Sequence, residues 1–186
     1  MNEKINFLSK IQLYKIITDK IASLGYDIYS KNYKVNAVEL AKRVCINLEI
    51  ELIDFKEIKI CGILYKTQNS TSIGLNMRRS ITGRNFDCMH ELIHYWLHKS
   101  NFFYCTENTT SHLEWQANEG AAQFLMPYQN FVPNYVQIYK RITINYPTTI
   151  ASNMLTLYLA KSYGVGETAI EYRIKSLKGY IEQYIK

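Results

Sequence analysis

The chain has 186 residues, 47% of them hydrophobic, and a formal net charge of +6. That apolar share excludes a disordered chain, and the length suits one domain with a sizeable core, with room for a small appendage. The basic excess sits toward the two ends around a near-neutral middle, with no dense basic run, so nucleic-acid binding is permitted but not demanded. No apolar run reaches bilayer length and the first ten residues lack a signal-peptide core, so a cytoplasmic location is expected. Cys45, Cys61, Cys88 and Cys105 are widely spaced with no Cys-x-x-Cys pair, which excludes a zinc finger. They read as reduced, mostly buried thiols. A role for Cys105 as a thiol that blocks a metal stays open.

Residues 7–24 are expected to form a helix whose apolar side is Leu8, Ile11, Leu13, Ile16, Ile17 and Ile21, stopped at Gly25. Asn36 can cap a second helix that runs to Val44. Leu48–Ile53 alternates apolar with acidic side chains, the pattern of a half-buried strand. Residues 59–65 and Thr71–Asn76 complete a small antiparallel sheet around a turn at Asn69-Ser70. The Thr71–Asn76 strand is expected to border a cleft, its edge open to an extended peptide.

Residues 81–99 contain no proline and repeat Phe86, Met89, Ile93, Trp96 and Leu97 at helical spacing. His90, His94 and His98 form a second stripe beside that apolar one. Within it lies His90-Glu91-Leu92-Ile93-His94. Two histidines four apart project from one helix face, so their imidazoles can grip one metal ion, typically zinc. Glu91 points toward the same cleft and can take a proton from a metal-activated water. This is the pattern of metal-dependent peptide hydrolysis. His98, one turn further on, lies too far along the axis for the same ion. It is expected to support a ligand or to contact substrate, with a merely solvated ring as the alternative.

A catalytic zinc usually takes a third protein ligand. The next helix, ended by Pro127, turns Leu113, Ala117, Ala121, Phe124 and Leu125 to the core. Glu114 and Asn118 share another face, so Glu114 can bind zinc while Asn118 reaches a ligand histidine. Glu119 lies about 100° round the helix from Asn118 and competes for the ligand role. Helical geometry favours Glu114. Further on, residues 149–162 and 167–177 read as two helices joined by Tyr163-Gly164-Val165-Gly166, with Thr148 and Gly166 as caps. The second carries Arg173, Lys175 and Lys178 and could touch DNA as in a helix-turn-helix. A helical hairpin that packs on the core or docks a partner is the preferred reading, because basic residues are common on exposed helix faces.

Cys88-Met-His90-Glu91-Leu-Ile-His94-Tyr-Trp-Leu-His98, followed by Glu114-x-x-Ala117-Asn118 and Ala121-Ala122-x-Phe124-Leu125-Met126-Pro127, resembles the ImmA/IrrE family. Upstream, Ala37–Val44 followed by Leu48–Ile53, and Gly62-Ile-Leu-Tyr65 leading into Ser72-Ile-Gly-Leu-Asn76, resemble its opening helix and strands. Ile93 stands where that family most often has glycine, and Gly120 where it usually has phenylalanine. The resemblance implies a metallopeptidase related to the thermolysin-like group. It also implies narrow cleavage of a transcriptional repressor, often encoded beside it on a phage or integrative element.

The expected fold is therefore α+β: a small antiparallel sheet packed on a helical bundle that holds the active-site helix, followed by a C-terminal helical segment. Residues 1–135 are expected to form the peptidase domain, with 136–186 a helical extension packed on it. The expected site is His90, His94 and Glu114 around Zn2+, Glu91 as catalytic base, and Asn118 and His98 supporting the ligands. The expected activity is zinc-dependent cleavage of an intracellular helix-turn-helix repressor. The alternative is a DNA- or protein-binding regulator, such as a toxin–antitoxin partner, with a silent or structural metal site.

Overall fold

A computed structural model of the chain describes residues 8–56, 60–106 and 111–185. Helix α1, Lys10–Ser23, starts with a reciprocal cap: the Ser9 side chain accepts from the Gln12 amide while the Gln12 side chain accepts from the Ser9 amide. It buries Leu13, Tyr14, Ile17 and Ile21. Ile11 and Ile16 stay 77% and 38% exposed, so the apolar stripe expected for this helix is wider than the face the core covers. Residue 7, where that helix was expected to begin, lies outside the described residues. Helix α2, Ala37–Val44, is capped by Asn36, whose side chain accepts from the amides of Val38 and Glu39.

Four strands follow: β1 (Leu48–Ile53), β2 (Ile60–Lys66), β3 (Thr71–Asn76) and, after the next helix, β4 (Phe102–Thr106), in the spatial order β1-β3-β2-β4. β2 and β3 form the expected antiparallel hairpin, with residue 59 outside the described residues. β1, however, runs parallel to β3, so the sheet is mixed rather than antiparallel. An alternating pattern specifies which face a residue takes but not the direction of the neighbouring strand. β4 was not expected. Its Phe-Phe-Tyr-Cys run has no polar residue to reveal the alternation, yet Phe102 and Tyr104 are 53% and 58% exposed while Phe103 and Cys105 are buried.

Helix α3, Ile81–Leu97, begins where the Ser80 side chain accepts from the Gly83 amide and stops with His98 as its cap. It lies across β2 and β3, and α4 (His112–Leu125) packs on it, with α1 packed in turn on α4. Lys66 of β2 donates to the carbonyls of Tyr95 and His98, placing a cation at the carbonyl end of α3. Asn85 of α3 donates to the carbonyls of Val35 and Gly164 and accepts from the Ala37 amide, which fastens both ends of the chain to this helix. The remaining helices are α5 (Tyr128–Thr143), α6 (Thr148–Tyr163), α7 (Glu167–Ser176) and α8 (Lys178–Ile185). α6 ends at Gly164, whose φ of 67° is left-handed backbone that glycine adopts without steric cost. Leu155, Leu159, Tyr163, Ile170, Leu177 and Ile181 join the same core as Leu13 and Phe124. No helix among the described residues is long and apolar enough to cross a membrane.

The two departures from the family pattern meet in this core. Ile93 is fully buried, and a Cβ placed on Gly120 would lie 3.0 Å from Ile93 Cγ2. Bulk missing from α4 has been supplied by α3, so Ile93 fills the helix–helix seam rather than crowding the cleft. Ile93→Gly and Gly120→Phe should therefore each destabilise, the first by a cavity and the second by overpacking, at about 1–3 kcal/mol or more each. Combined, they should cost clearly less than their sum. Chemical denaturation of the two single variants and the double variant checks this, and simple additivity would refute the pairing.

Candidate metal centre

α3 and α4 face each other so that three donors converge. His90 Nε2 and His94 Nε2 are 3.0 Å apart. The Glu114 carboxylate closes the triangle, with Oε2 at 3.1 Å from His90 Nε2 and Oε1 at 3.2 Å from His94 Nε2. All three residues are buried. Donors at about 2.0–2.1 Å from a tetrahedral ion stand about 3.3 Å apart. The observed edges are close to that figure.

The hydrogen bonds around the triangle leave the inward nitrogens as acceptors. His90 Nδ1 donates to Asn118 Oδ1 at 3.0 Å, which leaves Nε2 with its lone pair. His94 is set by a longer chain of bonds. Gln116 Nε2 donates to His112 Nε2 at 2.9 Å, so Gln116 Oε1 accepts from His98 Nε2 at 2.9 Å. His98 Nδ1 then accepts from His94 Nδ1 at 2.8 Å. With the Gln116 amide in this orientation, the chain of bonds ends with a lone pair on His94 Nε2. Burial pushes His94 down to about 4 and also lowers His98, so both rings are neutral near pH 7. Phe103 of β4 packs on the His94 ring, with centroids 4.2 Å apart, and holds its plane.

Three inward lone-pair carriers at such separations repel unless a cation lies among them. Burial raises the Glu114 carboxyl, but its contacts with His90 and His94 outweigh burial and bring it down to about 2. It is thus an anion ready for a metal. Glu91 is wholly buried, and neither carboxylate oxygen has a hydrogen-bond partner among the described residues. Burial, reinforced by the charges of Glu114 and Asp87, pushes its carboxyl well above the ordinary range. Such an orphaned group is costly unless a ligand satisfies it. The donor set and this orphan together fit a divalent metal carrying a water.

Gly62 of β2 gives Glu91 its room, since a Cβ there would lie 2.8 Å from Glu91 Oε1. The structure thus brings His90, Glu91, His94 and Glu114 together, with Asn118 and His98 each bonded to a site histidine. Glu119 goes elsewhere. It faces α1 and α7, where Ser176 donates to it at 2.6 Å, Tyr172 at 2.9 Å and Arg173 at 3.3 Å. Arg173, considered above as a DNA contact, is fully buried, and Lys178 begins a separate helix. The Thr71–Asn76 strand is central, paired on both sides, and offers no open edge. Among the described residues β4 pairs only with β2, and its Cys105 lies beside His90 and Glu114. Gly62, Phe103 and Gln116 went unnoticed as neighbours of the site, whereas Cys105 is considered above as a thiol that could block a metal. Only the aromatic run at Phe102–Thr106 carried a signal that could have revealed them, through its strand propensity.

Residues 45–175 match the IrrE N-terminal-like domain family, Peptidase_M78. The chain belongs to that family. Membership makes it a metallopeptidase-type protein and agrees with the resemblance carried by its two helical motifs. No curated protein matches the sequence. In this IrrE-like chain His90, Glu91, His94, Cys105 and Glu114 lie inside the matched span, as do β1–β4 and α3–α6.

Proposed function

We propose that the chain is a zinc-dependent endopeptidase in which His90, His94 and Glu114 hold the ion and Glu91 is the catalytic base. The observation that carries this is the triangle of three buried donors beside a carboxylate with no hydrogen-bond partner among the described residues. Zinc bound there would lower the pKa of a coordinated water toward about 7 and polarise the scissile carbonyl. Glu91 takes the proton of the attacking water and passes it to the leaving amine. Asn118 and His98 keep the two ligand rings in their productive tautomers. An extended peptide adds to the edge of β4 that is unpaired among the described residues, which brings a peptide bond alongside the triangle. Residues 1–135 act as the peptidase domain, with 136–186 packed on it as an extension.

The proposed substrate is a cytoplasmic helix-turn-helix repressor of a phage or mobile element, a reading supported by the ImmA/IrrE resemblance. The DNA-binding alternative loses Arg173 to the core. The test is co-expression with a neighbouring repressor, wild type beside Glu114→Ala, followed by intact mass of the repressor and metal analysis of the peptidase. Fragments with wild type alone are expected. Glu114→Ala should also lower zinc affinity by more than about 100-fold, the upper range for losing a mere supporting partner. Zinc retained in that variant would remove Glu114 from the ligand set.

A further inference from the structure

On β4 the inward residue after Phe103 is Cys105, 7% exposed. Its Sγ, a ring nitrogen of His90 and a carboxylate oxygen of Glu114 all lie within 4.8 Å of one another. In the β2–β4 ladder Cys105 stands opposite Gly62, the residue against which the Glu91 carboxylate rests. The thiol, the orphaned carboxylate and two of the metal-site donors therefore border one space. A catalytic zinc keeps its fourth position for water, and thiolate is among the donors zinc accepts, at about 2.3 Å. A sulfur this close competes with water for that position.

Cys105 also has a partner. The β2–β4 register shifts between Ile60 and Gly62, which sets Cys61 beside Cys105, and the Cys105 thiol donates a hydrogen bond to the Cys61 sulfur. Cys61 is 4% exposed. Nothing in the proposed hydrolysis uses either thiol.

We propose that Cys105 is a fourth metal ligand that holds the centre closed, and that Cys61 is the thiol that removes it by disulfide formation. This rests on the zinc site proposed above and adds its regulation. With the metal in place, Cys105 gives up its proton and binds as thiolate. A peroxide supplies the oxidising equivalents. The Cys105 thiolate attacks one peroxide oxygen, the O–O bond breaks, and hydroxide leaves from a sulfenic acid. The Cys61 sulfur then attacks the Cys105 sulfur, the S–O bond breaks, and the Cys61 proton leaves with the hydroxyl as water. The thiol pair has lost two electrons to the peroxide, and the fourth position passes to water.

Cobalt replaces zinc in the test because its spectrum reports the donors. The full chain, metal-free and reduced, is loaded with Co2+ as wild type, Cys105→Ser, Cys61→Ser and Glu114→Ala. Wild type should show visible d–d bands and a near-ultraviolet sulfur-to-cobalt band. Cys105→Ser should lose the second and keep the first. Adding hydrogen peroxide should abolish the sulfur band of wild type with loss of two hydrogens by intact mass, and dithiothreitol should restore it. Cys61→Ser should show the sulfur band but form no internal disulfide. Visible bands without a sulfur band in wild type would overturn the proposal and leave the metal site standing. No cobalt bands in wild type would overturn the metal site, and this proposal with it. A sulfur band that peroxide removes equally and reversibly in Cys61→Ser would overturn the role of Cys61.

Discussion

On the proposed mechanism, a chain with Glu91→Gln should keep zinc and lose cleavage. Glutamine has the size and shape of the glutamate, so the cavity against Gly62 stays filled, and no ligand of the ion is removed. What disappears is the proton acceptor, and general-base catalysis of this kind is worth about 10²–10⁴ in rate. Zinc content equal to wild type, with cleavage down by that factor, is the expected result. Intact mass of the substrate and metal analysis of the enzyme measure the two halves separately. Cleavage at the wild-type rate would refute Glu91 as the base. Loss of zinc would show that Glu91 contributes to holding the ion.

The largest effect on stability is expected at Arg173. This guanidinium is fully buried and donates to the Met126 carbonyl at 2.9 Å, to the Tyr14 hydroxyl at 2.6 Å and to Gln123. It also stands 3.3 Å from Glu119, which takes a further hydrogen bond from Tyr14 and an ion pair with Lys10. Arg173→Met fills the space but leaves a buried carboxylate with too little positive charge nearby. Breaking one side of such a pair costs about 3–5 kcal/mol. The deficit also depends on pH. Burial raises the Glu119 carboxyl, but the bonds from Ser176 and Tyr14 and the charges of Arg173 and Lys10 hold it below its ordinary value. A carboxyl depressed in the fold stabilises above its unfolded pKa of about 4.3, and that contribution is lost as pH falls through the folded value. The gap between wild type and Arg173→Met should therefore narrow in acid. Denaturation curves at neutral and acid pH check this, and a constant gap would mean that Glu119 is not what Arg173 serves.

The helix bearing His90 and His94 could be read from the sequence because period, cap and absence of proline agree there. Glu114 followed from the same geometry, since Glu114 and Asn118 share a face that Glu119 does not. The order of the strands could not be read. β1 and β3 are parallel because β3 enters between β1 and β2, and pairing partners leave no trace in a two-residue alternation. β4 hid its alternation behind aromatic residues on both faces. Arg173 misled for a related reason: in a one-dimensional pattern a cation looks exposed unless its buried counter-charge is known, and here that is Glu119, 54 residues upstream.

Glu114 and Glu119 sit on the same helix about 7.5 Å apart along its axis. One closes the triangle with His90 and His94; the other is gripped by Lys10 and Tyr14 from the first helix and by Tyr172, Arg173 and Ser176 from the seventh. Helix α4 is thus a splint with the chemistry lashed to one end and both flanks of the chain knotted at the other. Removing the segment before α2, or the helices after α5, would untie that knot and loosen the splint. Loss from either flank should then register as weaker metal binding at a centre to which neither flank contributes an atom.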